Sequence, residues 1–172
     1  MVEGNFVFDE AIKFLNKLSP LKPLQWDENL VKSATEHVDD IGPKGLLLYQ
    51  SSDGTEPEDR ITKYGDYIGQ LGESIDFGPN DAIGIIVYLT LDDRPHRENL
   101  FSENYQKVGI ACGYHKTEFK MCVMDFAYDF KPISNKKINN VITNNFGFNK
   151  VENLTESENV QKNMLMILAQ KD

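Results

Sequence analysis

Apolar residues near the start of the chain recur with helical period. Phe8, Ala11, Ile12, Leu15 and Leu18 follow the i, i+3, i+4, i+7 spacing, which predicts a helix with one apolar stripe. Pro20 and Pro23 in "SPLKP" end it, because proline cannot continue a helix. After "QWDEN" a second helix is predicted: Leu30, Ala34, His37, Val38 and Ile41 share a face, and Gly42-Pro43 stops it. Residues 42–55 read as Gly- and Ser-rich loop. "TEPEDRITKYG" carries a capping pattern at Thr55 and Glu58 with Gly65 as C-cap, predicting a short third helix. "GQLGESIDFGPND" sets three glycines around a short extended piece. "AIGIIVYLTLDD" stays open on pattern alone: its β-branched residues suggest a strand, yet Asn80 or Asp81 could cap a buried helix.

Period two then takes over. Val108, Ile110 and Cys112 alternate with Gly109, Ala111 and Gly113, a strand with one small-residue face. "FKMCVMDFAYDF" is its returning partner, and near-continuous apolarity there implies cover on both faces of the sheet. Beyond Pro132 the sequence turns Asn- and Lys-rich and reads as an extended arm. It ends in a helix capped at Thr155 and Glu158, with Val160, Met164, Leu165 and Leu168 as its apolar stripe. The division expected is a domain over residues 1–130 and an arm over 131–172. Each large apolar side chain left exposed on that last helix forfeits about 1.5–3 kcal/mol, so the stripe is expected to bury against this domain or a protein partner.

Composition narrows the function classes. The 172 residues suffice for one domain with a substantial core. A formal charge of −9 argues against nucleic-acid or anionic-membrane binding, and no apolar run reaches the roughly 20 residues that span a bilayer. The first residues lack the basic, long apolar and cleavage-site regions of a secretory leader, so an intracellular location is expected, with secretion as the alternative. Cys112 and Cys122 face one another if the hairpin turns near residues 116–118. A disulfide is then geometrically possible, but without a leader two buried thiols are expected.

Candidate chemistry is sparse. His37 lies on a helical apolar stripe and reads as a satisfied core or boundary histidine, whereas His115 reads as part of a solvated turn. His96, in "RPHRENLF", has Asp92 and Asp93 upstream and Glu73 in a Gly-flanked stretch. One histidine with scattered carboxylates is a weak zinc signal, since zinc takes three or four N, S or O ligands. Nucleophile elbow, zinc-protease, P-loop and dinucleotide motifs are absent, and neither cysteine sits beside a base at a helix start.

In order along the chain, "EAIKFLNKLSPLKPLQWDENLVKSATEHVDDIGPKGLL", "SSDGTEPEDRITKYG", "GESIDFG" and "HRENLFSENYQKVGIACGYHKTEFKMCVMDFA" resemble the CAP superfamily of cysteine-rich secretory, antigen 5 and pathogenesis-related class 1 proteins. The resemblance spans about residues 8–130. It implies an α/β fold, a three-layer α-β-α sandwich of the CAP/SCP type with helices on both faces of a small, mostly antiparallel sheet, and it settles "AIGIIVYLTL" as helix. It also implies a cleft of two histidines and two acids, often with a divalent metal such as zinc. Glu73 in "GES" matches the first acid, His96 in "PHRENLF" the second histidine, and Asp92 the second acid, with Asp93 its rival. Tyr49 stands where the first histidine belongs, Ser74 replaces an asparagine, and only Arg94 and Pro95 separate "DD" from "HR". A phenol with a pKa near 10 is a poor zinc ligand at neutral pH. Arg94 is expected to pair with Asp92 or Asp93 in place of a metal, and His96 to hydrogen-bond Glu73 or an aspartate.

The cleft Tyr49, Glu73, Asp92 and His96 is therefore expected to have lost its chemistry. No cofactor and no metal are expected, with His96 and Glu73 as weak candidates. The function expected is non-catalytic: a binding or structural module, a subunit of a larger assembly contacted through the arm. The alternative is a secreted protein binding lipid, sterol or a surface partner, where Asn153-Leu-Thr155 could be glycosylated. A third reading is a peptidase using Glu73 and His96 as acid and base, with Tyr49 at the oxyanion; it lacks a nucleophile.

Overall fold

A computed structural model describes residues 4–132, with 79 and 93 excepted. The arm and the predicted terminal helix bearing Val160, Met164, Leu165 and Leu168 lie outside the described residues.

Among the described residues five helices and four strands follow in order: α1 (Gly4–Leu15), β1 (Gln25–Trp26), α2 (Glu28–Ile41), α3 (Pro57–Thr62), β2 (Gly65–Phe77), α4 (Ala82–Leu91), α5 (Arg94–Leu100), β3 (Lys107–His115) and β4 (Phe119–Pro132). The sheet order is β1-β3-β4-β2, with β1 parallel to β3 and the other pairs antiparallel. Helices cover both faces, the expected α-β-α sandwich. On one face Ala34, Val38 and Ile41 of α2 pack on Ile75, Ala111, Met121 and Val123. On the other, Ile85 and Leu89 of α4 and Leu100 of α5 meet Val108, Ile110, Met124 and Phe126.

Local chemistry sets the boundaries. Asp27 caps α2 by accepting from the amides of Asn29 (2.9 Å) and Leu30 (3.4 Å). Asp81 caps α4 through the Gly84 amide at 2.8 Å, and the segment left open by pattern is a helix. The small-residue face of β3 has a reason: a Cβ on Gly109 would lie 2.2 Å from the Val31 nitrogen, so α2 rests directly on that strand's backbone.

Several expectations are corrected. In α1 the buried face runs through Ala11 and half-buried Phe14, while Phe8 and Ile12 stay over half exposed. The cap of α3 is Glu56 rather than Thr55, and it makes no side-chain capping bond; Gly65 starts β2 instead of ending the helix. The short extended piece is a 13-residue strand. Its glycines mask the period without ending it, because Gly69 (φ +83°) falls at an irregularity in the pairing and Gly72 leaves room for the Tyr105 hydroxyl. His115 is fully buried; its Nε2 meets the Leu46 carbonyl at 3.0 Å and its Nδ1 accepts from the Glu118 amide at 3.1 Å. The two thiols expected at Cys112 and Cys122 are instead one disulfide, since the register sets the residues directly opposite with Cα atoms 4.1 Å apart.

Candidate functional site

The edge of the sheet at β2 divides the predicted residues into two hydrogen-bonded groups. Glu73 points to the α2 face. Its Oε2 accepts from Arg60 Nη2 of α3, and both side chains are all but inaccessible. Arg60 Nη1 also donates to the Tyr49 carbonyl (3.2 Å) and to Ser51 Oγ (3.1 Å), tying the loop after α2 to the strand. Directly across the ladder from Glu73 stands Asp125 of β4, fully buried, with Ser33 of α2 beside it.

These groups form one electrostatic unit. Burial raises the pKa of Glu73 against the pull of Arg60. Burial also raises Asp125, well above the ordinary aspartate value, and the neighbouring Glu73 charge raises it further. Were both carboxyls ionised, Glu73 Oε1 and both Asp125 oxygens would be buried without a donor. A proton on one Asp125 oxygen, donated to the Glu73 carboxylate, joins two of these three atoms, leaves the other Asp125 oxygen to the neighbouring Ser33 hydroxyl, and leaves one negative charge facing one guanidinium. Next to this unit is His37, also buried, whose Nε2 meets the Leu48 carbonyl at 3.0 Å. Burial and then Arg60 lower its pKa to about 4.

The second group lies nearer the surface. His96 sits in the first turn of α5, four residues beyond Asp92, the C-cap of α4. Its Nδ1 is 2.9 Å from Asp92 Oδ2, and its Nε2 is 2.6 Å from Tyr49 Oη. A carboxylate at Nδ1 fixes the tautomer with the proton on that nitrogen, so Nε2 accepts from the phenol. Asp92 is the aspartate that meets the expectation for His96. Glu73 faces Arg60 and Asp125, and Asp93 lies outside the described residues. Among the described residues Arg94 pairs with Glu98 rather than with Asp92, while Asp93, its other expected partner, lies outside them. Arg94 Nε donates to Glu98 at 2.6 Å along the exposed side of α5, and the buried cation of the site is Arg60.

The metal implied by the resemblance does not fit these residues. Glu73 is held by a buried guanidinium, and both nitrogens of His96 face protein partners. Among the described residues no three His, Cys, Asp or Glu side chains converge as a metal site would need.

Arg60 and Asp125 were not among the sequence candidates. Asp125 did leave a signal, as the one acid inside "MCVMDFA", a strand covered on both faces. Arg60 left none, because "PEDR" reads as an ordinary polar helical turn.

The profile of the Cysteine-rich secretory protein family (CAP) matches residues 17–126, more than half of the chain. The chain belongs to the CAP family. It is 31% identical over 91 residues to the uncharacterized protein YkwD of Bacillus subtilis (strain 168), an alignment covering 53% of this chain and 35% of that protein. The match thus spans about a third of that relative's length. Among solved structures, an outer surface protein from Borrelia burgdorferi superposes with a TM-score of 0.55 at 23% identity, covering 75% of this chain and 92% of that one. An extracellular protein containing a SCP domain from Bacillus anthracis str. Ames gives 0.50 at 20% identity, covering 72% and 39%. At such identities the likeness is one of fold.

Proposed function

We propose that this CAP domain is displayed outside the cytoplasm and acts by contact rather than catalysis. The observation that carries the reading is the buried Arg60–Glu73 pair, which ties up the acid that a hydrolytic or metal cleft needs. A general base must reach the proton it removes, and a carboxylate locked under a guanidinium does not. The Cys112–Cys122 bond supports an oxidising compartment, as do the words "outer surface" and "extracellular" attached to the two structural neighbours. A cavity of about 520 Å³ between the end of α1 and the segment after α5 offers a contact site of small-molecule size. Phe14, Leu18 and Phe101 supply apolar wall, and Gln70, Asn99 and Glu103 supply polar groups. That mixture suits an amphipathic ligand or a surface peptide. Residues 131–172 would add a protein contact through Val160, Met164, Leu165 and Leu168, a part of the proposal resting on sequence pattern alone.

The test is elemental analysis of purified protein together with a peptide-hydrolysis screen. Substoichiometric zinc and no turnover are expected. One zinc per chain that is lost in His96→Ala, or turnover that is lost in Glu73→Gln, would overturn the reading.

A further inference from the structure

Tyr49, His96 and Asp92 form a line of proton donors and acceptors that the contact reading leaves unused. The phenol oxygen is 2.6 Å from His96 Nε2, and Nδ1 is 2.9 Å from the Asp92 carboxylate. Tyr49 is 43% exposed, so reagents approach the residue from solvent, while the imidazole behind it is mostly covered. This is the order of a base-activated hydroxyl, with phenol in place of alcohol and an acid orienting the base.

Two chemistries can use an activated phenol: attack on an acyl group, or loss of an electron. Attack needs amide donors for the oxyanion, and the loop carrying Tyr49 has spent several of its own. Ser51 N donates to the Thr55 carbonyl, Ser52 N to Asp40, and Gly54 N to the Ser51 carbonyl. Electron loss needs only a place for the phenolic proton, because an oxidised phenol is a strong acid. His96 Nε2 is that place, and the Asp92 carboxylate stabilises the imidazolium formed. Both cysteines are already bonded, so no thiol competes for the oxidant or quenches a radical.

We propose that Tyr49 is a site of one-electron oxidation, at which an oxidant of the haem-peroxidase class takes an electron from the phenol as its proton passes to His96. Two neutral phenoxyl radicals, one on each of two chains, then join through the ring carbons ortho to oxygen. Each ring's displaced ortho hydrogen returns through solvent to its oxygen, and the two His96 rings release the protons they took. One hydrogen peroxide accepts the two electrons and two protons and becomes two waters. The product is a dityrosine bridge between copies of this domain. Other phenols are placed differently: Tyr64 and Tyr67 donate to Glu36 and Glu58, which are weaker bases than imidazole, and Tyr105 donates to a backbone carbonyl.

The test treats full-length protein with a haem peroxidase and limiting hydrogen peroxide, then maps cross-linked peptides and dityrosine fluorescence. Exposure alone would favour Tyr114, which is 63% exposed, whereas the relay favours Tyr49. Tyr49→Phe should remove most of the bridge. His96→Gln should slow the Tyr49 product by about tenfold or more, a modest share of what a positioned base contributes, while products at Tyr114 stay unchanged. Asp92→Asn should slow it in the same sense without removing the base. The proposal is overturned by wild-type bridges at Tyr114, Tyr128 or Trp26 in place of Tyr49, by an unchanged Tyr49 product in His96→Gln, or by an equal loss at every tyrosine.

Discussion

Two buried groups on the α2 face, Asp125 and His37, shift in opposite directions, and each ties stability to pH. Asp125 is raised above 3.8, so the folded chain holds a proton that the unfolded chain releases above about pH 4. Its contribution is full below that pH and is lost as pH rises through the folded value. His37 is lowered from 6.5 to about 4, so its contribution is present above pH 6.5 and is lost as pH falls towards 4; the loss is roughly 3 kcal/mol. Urea unfolding across pH should therefore show Asp125→Asn flattening the alkaline limb and His37→Gln the acid limb. An alkaline limb identical in Asp125→Asn and wild type would mean that Asp125 is ionised in the native state. Arg60→Met should be severe, costing about 3–5 kcal/mol, because it strands Glu73 as a buried charge. Adding Glu73→Gln to that variant should recover part of the loss; no recovery would show that Arg60 acts mainly by anchoring Tyr49 and Ser51.

At the scale of elements, α2 against β3 is the contact most exposed to a single added methyl. Gly109→Ala places a Cβ 2.2–2.3 Å from backbone atoms of Val31 and Leu30, so the helix must shift as a body. The expected cost is about 2–3 kcal/mol or more in denaturant unfolding; a neutral result would show α2 riding higher over the strand than described. This hairpin was legible because its period-two pattern runs unbroken through Val108–Cys112. The length of β2 was not, since Gly69 and Gly72 answer to the chain pairing and to Tyr105 rather than to the strand itself. Pattern alone left α4 open, and the resemblance settled it correctly as helix, because its apolar residues surround the helix: Ile85 and Leu89 are buried while Ile83 and Val87 are exposed, leaving no stripe to read. The cleft was half legible. Tyr49, Asp92 and His96 converge, but the partners of Glu73 come from positions 60 and 125, and no local spacing links those to 73.

For the whole molecule, the family and layer order followed from motifs spread along some 120 residues, whereas the proposed compartment leans on a bond that the sequence left open. Cys112 and Cys122 close a loop of about ten residues, so the chain-entropy estimate of the bond's contribution is about 3 kcal/mol. Cys112→Ala with Cys122→Ala should lower the urea midpoint accordingly, and reductant should do the same to wild type; insensitivity of both would argue that the hairpin holds without the bond.

Among the described residues β2 ends the sheet, and its outer side has a consequence for crowded solutions. The Leu71 carbonyl accepts from the Tyr105 hydroxyl at 3.2 Å, and the Glu73 carbonyl accepts from Asn99 Nδ2 at 2.9 Å. Side chains of the same molecule thus occupy acceptors that a foreign strand would use to extend the ladder. Among the described residues this rim is stoppered from within, which disfavours growth of the sheet from one copy to the next.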